Sequence, residues 1–157
     1  MVSKDMLLGV PLFADLSGPE MEMMATIAEI RTCAAGEKLY TEGKSGGSLY
    51  VLLKGSMRIE KIVRYDEHQS LHRLEPGEFF GEVSFITGMP HSASAEAIVD
   101  AELMEIRRSE FDDLGQKSCI VAYKIMAKLA LQLGKLLRTM DERFVEMVSY
   151  VWGRGKV

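Results

Sequence analysis

The sequence predicts a mainly β fold, a sandwich or jelly roll, carried between helices at both ends. Three observations predict it. Short apolar runs separated by glycine turns fill the chain from about residue 30 to residue 107. A capped helix precedes them at Ser17-Gly18-Pro19-Glu20. A long stretch with apolar residues at steps of four and three follows them, from about Ser118 to Trp152.

In chain order, Leu7-Leu8 and Leu12-Phe13 read as a short helical lead-in. Ser17 is the cap of the first helix and Glu20 closes a capping box. Met21, Met24, Ala25 and Ile27-Ala28 then recur at helical spacing to about Ile30. The expected strands are Ile30–Cys33, Lys38–Thr41, Leu49–Leu53, Ser56–Val63 and Leu71–Leu74. A hairpin is expected at Lys54-Gly55 and a polar connection at Tyr65–Gln69. Ser92–Val99 and Glu102–Ile106 complete the set, with a turn at Asp100 between them. Ser109–Leu114 reads as a short helix capped by Ser109 and stopped near Gly115. In the long helix Ala122, Met126, Leu129, Leu133, Leu136 and Met140 form a heptad seam, continued after one extra residue by Phe144, Met147 and Val151. Ile125 and Leu137 widen the stripe, so part of this helix is expected on the β body and its seam against a second copy.

At 157 residues the chain suits one domain, and it is long enough to bury a core without disulfides or metals. The divisions read are residues 1–30 (helices), 30–107 (β) and 109–152 (helices). A net charge of −4 excludes a globally basic nucleic-acid binder. The charge is uneven: residues 1–116 hold 11 basic and 20 acidic groups, residues 117–157 hold 8 and 3. That is an acidic body with a basic tail, read as a solvated helix face rather than a membrane or nucleic-acid contact. No apolar run approaches the roughly 18 residues of a membrane span. The N-terminus has no secretory pattern, and Cys33 and Cys119 fit no ligand spacing, so a cytoplasmic setting is expected. No paired carboxylates, nucleophile elbow or clustered His-x-His site stands out, so no enzyme and no metal are expected.

The informative passage runs from Pro76-Gly77-Glu78-Phe79-Phe80-Gly81-Glu82-Val83-Ser84 to Pro90-His91-Ser92-Ala93. Gly81 lets backbone approach closely, and a helical turn beginning there offers free N–H groups to an anion. Glu82 can accept hydrogen bonds from a hydroxylated ligand. A plain glycine turn with an exposed glutamate is the competing reading of these residues alone.

This passage resembles the phosphate-binding cassette of the cyclic nucleotide-binding domain family. Pro11-Leu12-Phe13, Ala35-Gly36-Glu37, Glu42-Gly43, Leu49-Tyr50-Val51-Leu52, Gly55, Pro76-Gly77-Glu78 and Phe111 extend the likeness over nearly the whole chain. The resemblance implies a double-stranded β-helix jelly roll with closing B and C helices. It implies that Glu82 meets a ribose 2′-hydroxyl, and that Gly81, Val83 and Ser84 offer backbone groups near the sugar and cyclic phosphate. Ser92 and Ala93 would reach the phosphate from the other side, and Leu71 would line the wall near the base. The long helix would be the lid, between Gln132 and Thr139. The ligand implied is cAMP or cGMP, and the output a rearrangement of helices, with a homodimer through residues 118–152. One position departs: His91 stands where the family has arginine. Losing a planar, permanently charged fork weakens phosphate binding by roughly ten- to a hundredfold. The alternative kept beside this is a pocket that has lost its nucleotide, in a protein acting on partners through its C-terminal helix. The chain ends five residues after Trp152, which leaves no room for an appended helix-turn-helix, so direct DNA binding is not expected.

Overall fold

The computed structural model describes residues 2–64 and 67–153. Two 3-10 turns, Lys4–Met6 and Pro11–Phe13, lead into α1 (Gly18–Ile27). The Ser17–Glu20 capping box forms, with Ser17 N–H donating to Glu20 Oε2 at 2.7 Å. The strands are β1 (Ala28–Cys33), β2 (Lys38–Tyr40), β3 (Ser48–Arg64), β4 (Glu67–Leu74), β5 (Phe79–Phe80) and β6 (Ser94–Arg107). Between β5 and β6 lies α2 (Glu82–Thr87), and α3 (Arg108–Lys117) and α4 (Cys119–Gly153) close the chain.

All pairings are antiparallel, and β3 and β6 run through the whole body. The first half of β3 pairs with the second half of β6, flanked by β1 and β5. Their other halves pair again, flanked by β2 and β4. The expected hairpin at Lys54-Gly55 is therefore one continuous strand, and so is the expected break at Asp100. The physical reason is a shared corner. Gly55 has φ +89°, and a β-carbon there would overlap the Asp100 carbonyl oxygen and lie 2.9 Å from Ala101 Cα. The register shifts gather on either side of it, between Leu52 and Met57. Such irregularities bend a strand without ending it, and glycine tolerates both the conformation and the contact.

The bend lets one pair of strands supply two facing layers. Tyr50, Leu52, Met57, Leu74, Phe80, Ala95, Ala97 and Leu103 fill the space between them. Alternate residues of the first layer, Leu49, Val51, Met104 and Ile106, face outward and are also buried. They lie under a helical cover that includes Leu12, Phe13, Met24, Phe111, Leu114, Val121, Ile125 and Leu129. A sheet buried on both faces reads as a near-continuous apolar run, as in Leu49–Leu53.

Other boundaries move. Strand β1 begins two residues before Ile30, and β6 begins at Ser94 rather than Ser92. Strand β4 takes in Glu67–Gln69, expected as part of a connection; Tyr65 and Asp66 lie outside the described residues. Ser109 is not a cap, because α3 starts one residue earlier with Arg107 before it. Gly115 does not stop α3. It sits within the helix 3.4 Å, at its β-carbon position, from Ala122 Cβ of α4, so the residue serves close helix packing.

The long helix divides in two. Val121, Ile125 and Leu129 are wholly buried against the body, while Lys124 pairs with Glu20 at 2.7 Å and Lys128 with Asp15 at 2.9 Å. Two basic groups of the tail thus answer acidic groups near the N-terminus. Beyond Leu129 the body gives way to solvent, and Leu136, Met140, Phe144, Met147 and Val151 are exposed.

Replacing Gly55 by alanine is expected to destabilise the protein by at least about 2 kcal/mol, since the positive φ and the clash with β6 act together. Urea denaturation measures this, and a variant within 0.5 kcal/mol (roughly the range of neutral surface changes) would contradict the corner.

Candidate functional site

The site is built where β5 leaves the sheet. Phe80 pairs with Tyr50 of β3 and delivers Gly81, whose φ is +81°. A β-carbon at Gly81 would lie 2.9 Å from the Ser48 carbonyl oxygen and 3.2 Å from the Tyr50 ring. Glycine is required there both by conformation and by space. Helix α2 follows and ends on Gly88, at φ +69°, whose N–H donates to the Ser84 carbonyl at 2.9 Å. Phe85, fully buried, fixes α2 to α3 through an edge contact with Phe111 at 5.3 Å between ring centres.

The return from α2 to β6 is knit to the connection between β2 and β3. The His91 N–H donates to the Lys44 carbonyl at 2.9 Å, and the Gly43 N–H to the His91 carbonyl at 2.8 Å. The Glu42 N–H donates to Ser94 Oγ at 2.9 Å. This connection then crosses the site at Gly46. A β-carbon there would overlap Ser84 Oγ and lie 2.8 Å from two atoms of the His91 ring. Only glycine fits.

The predicted residues fall as follows. Gly81, Glu82, Val83 and Ser84 lie together at the start of α2, and His91, Ser92 and Ala93 on the return segment, with the His91 ring against Gly46. Glu82 is half-buried, and burial pushes its carboxyl above the ordinary carboxylate range. Val83 is exposed; Ser84 is buried, with its hydroxyl donating to the Met89 carbonyl at 2.8 Å. Ser92 is exposed and Ala93 buried. Leu71 sits apart on β4, 48% exposed, as the extra residue between the Ile59–His72 and Glu60–Ser70 pairs.

His91 is not a free surface residue. It is 6% exposed, and its ring stacks on Tyr40 with centres 3.7 Å apart and planes 6° apart. Tyr40 in turn touches Tyr50 and Phe80, at 5.9 and 6.2 Å between centres. Burial lowers the imidazole's pKa, so the ring is neutral at pH 7. Burial, then the neighbouring Glu82 carboxylate, pushes the Tyr40 hydroxyl upward.

Sequence reasoning missed Tyr40 and a second interior carboxylate, Glu105. Glu105 is 7% exposed and accepts from Ser48 Oγ at 2.7 Å and, more weakly, from the Tyr50 hydroxyl at 3.4 Å. Arg31 Nε stands 3.4 Å from its other oxygen, which has no well-formed hydrogen bond. The available signal was alternation: Ala101, Leu103 and Glu105 share the inward face of β6, so a charge falls at a core position. Of the other histidines, His72 meets Glu78 at 3.1 Å. Among the described residues no group of three or more His, Cys, Asp or Glu side chains could hold a metal ion. No helix of the described residues is long and apolar enough to cross a membrane.

A jelly roll with a short glycine-led helix packed on a closing helix is the architecture of a family of regulatory domains. The chain belongs to the cyclic nucleotide-binding domain family, whose model matches residues 30–118. The cyclic AMP receptor protein of Thermus thermophilus is 31% identical over 149 residues, 95% of this chain and 67% of that protein. The regulatory subunit of cAMP-dependent protein kinase from Mycosarcoma maydis is 29% identical over 107 residues, 66% of this chain and 20% of that subunit. The crystal structure of a cyclic nucleotide-binding domain from Methylobacillus flagellatus superposes with a TM-score of 0.80 at 24% identity, covering 91% of this chain and 80% of that one. The chain thus spans about two thirds of the receptor protein and a fifth of the kinase subunit.

The lowered pKa of His91 has a stability consequence. The unfolded chain takes up a proton near pH 6.5 while the folded ring resists it, so stability falls as pH drops through 6.5 toward the folded value. His91→Gln is expected to give a shallower loss between pH 7 and pH 5, by up to about 1.4 kcal/mol per pH unit, the limit for one proton. Parallel curves from urea titrations of the two proteins would show that the ring is not buried neutral.

Proposed function

We propose that the chain is a regulatory module that binds a cyclic nucleotide, cAMP or cGMP, weakly, and signals through movement of α3 and α4. The observation that carries this reading is the junction at α2. Gly81 lies against Ser48 and Tyr50 of β3, Ser84 lies against Gly46, and the buried Phe85 rests on Phe111 of α3. A ligand that draws α2 inward therefore acts on the helix that precedes α4. The nucleotide's work is the difference in its affinity for the two arrangements.

Glu82 would accept the ribose hydroxyl, and the backbone of Gly81, Val83 and Ser84 with Ser92 and Ala93 would face the cyclic phosphate. Leu71 would approach the base. His91 would supply the missing cation only by taking a proton, so binding is linked to proton uptake and strengthens as pH falls. The imidazole and Gly46 lie against each other, so the strap at Gly43–Gly47 must part from the ring to admit the phosphate.

The exposed far half of α4 supports association. From Ala130 to Gly153 it extends roughly 36 Å, at 1.5 Å per residue, with an apolar seam open to solvent. A heptad seam is complementary to itself, and a second copy of the chain would cover it. The whole chain, residues 1–157, acts in this reading as one domain.

A second reading has its own observation: the stacked, neutral His91 and the Gly46 crossing leave the site occupied by the protein's own groups. In that case the module works without a nucleotide, through α4.

Calorimetry with cAMP and cGMP separates the two. The first reading expects heat at millimolar nucleotide, tighter binding at pH 6 than pH 8, and a gain of roughly tenfold or more in His91→Arg, whose guanidinium can stack on Tyr40. No heat from either protein with either nucleotide rejects it in favour of the second. For association, sedimentation is expected to find a dimer that Leu136→Glu with Met140→Glu converts to monomer. A wild-type monomer at tens of micromolar (about the range where coiled-coil pairing of this length is populated) removes the seam as an interface.

A further inference from the structure

Arg108, the first residue of α3, makes contacts that the hydrophobic packing of Phe85 on Phe111 does not require. Its Nη1 donates to the Phe85 carbonyl at 2.7 Å and to the Ile86 carbonyl at 3.1 Å. Those are carbonyls in the last turn of α2, where a helix has no donors of its own to offer. The other donors at that end are committed elsewhere. Gly88 N–H goes to Ser84, Met89 N–H to Thr87 Oγ1, and Thr87 Oγ1 to the Val83 carbonyl. The guanidinium lies 5.6 Å from the centre of the Phe85 ring, and its Nε donates to Asp112 of its own helix at 2.7 Å. Its backbone N–H donates to the Gly47 carbonyl at 2.8 Å. One residue thus holds the end of α2, the start of α3 and the strap that crosses the site at Gly46.

We infer that Arg108 is a positioning residue that transmits displacement of α2 into α3. Cation-to-carbonyl hydrogen bonds are directional and short-ranged, unlike the sliding contact of two aromatic rings. One nitrogen of a rigid, planar guanidinium donating to two successive carbonyls makes the end of α2 and the start of α3 move as one piece. Asp112 keeps the guanidinium aimed by accepting from its Nε. The Gly47 bond adds the strap to the same unit, so parting of Gly46 from His91 is felt at α3. This inference rests on the reading of α2 as the ligand-responsive element, and its first test does not depend on any ligand.

Hydrogen exchange read by mass spectrometry on the full chain tests it, with amides of residues 49–52 and 103–106 as the internal reference. In the free protein, Arg108→Ala is expected to speed exchange across residues 82–93 by roughly tenfold or more while the reference amides are unchanged. Asp112→Ala, which leaves the carbonyl contacts in place, is expected to give a smaller change. Wild-type rates over 82–93 in Arg108→Ala overturn the inference. Should that variant fail to fold, Arg108→Met is read instead, because it keeps an apolar stem and removes every side-chain donor; wild-type rates there overturn it equally. With millimolar cAMP, the wild type is expected to change protection over both 82–93 and 108–130, and Arg108→Ala over 82–93 only. A variant that still passes the change to 108–130 also overturns it. No response of the wild type to cAMP counts against the proposed function, and the free-protein comparison then decides the role of Arg108.

Discussion

The close approach of Gly55 to Asp100 and Ala101 is the constraint on which the architecture depends. Because β3 and β6 bend at the same place, two strands furnish both layers and no separate crossover is needed. The bend turns Leu52 and Leu103 of one layer toward Met57, Ala95 and Ala97 of the other. It also leaves the opposite face of the first layer free to bury Leu49, Val51, Met104 and Ile106 beneath the helices. The mouth of the roll, where β5 hands the chain to α2, is a consequence of that geometry. So is the proximity of Arg108, which begins α3 immediately where β6 ends.

Burial dominates the electrostatics of the mouth. It lowers the imidazole of His91 and raises the carboxyl of Glu82 and the hydroxyl of Tyr40, moving each toward its neutral form. In the proposed reading, the permanent cation that ordinarily meets an anion is replaced by a His91 ring stacked on Tyr40. The same low polarity that keeps the ring neutral would magnify its attraction for a phosphate once it holds a proton.

Helix α4 joins two environments. Its first three turns are bound by Val121, Ile125 and Leu129 and by the pairs to Glu20 and Asp15. Glu20 also closes the capping box of α1, and Lys124 with the Ser17 N–H holds its carboxyl below the usual range. The remaining turns carry their apolar residues into solvent. A helix fixed at one end and bare at the other can convert a small change near α3 into a larger displacement at its tip.

The local signals in the amino-acid order were sufficient for the family, the capped first helix, the length of α4 and the glycine-led turn at Gly81. These depend on neighbours in sequence: capping, spacing and a glycine that no other residue can replace. Continuity of β3 through Gly55 and of β6 through Asp100 was not legible, because a bulge and a turn use the same residues and differ only in what lies opposite. The burial of His91 was not legible for the same reason, since the Tyr40 ring that covers it is fifty-one positions away. Glu105 and Arg108 likewise acquire their roles from partners distant in the chain. Periodicity determined which elements form, and only the folded packing decided which side chains meet, since contacts between remote segments leave no trace in local order.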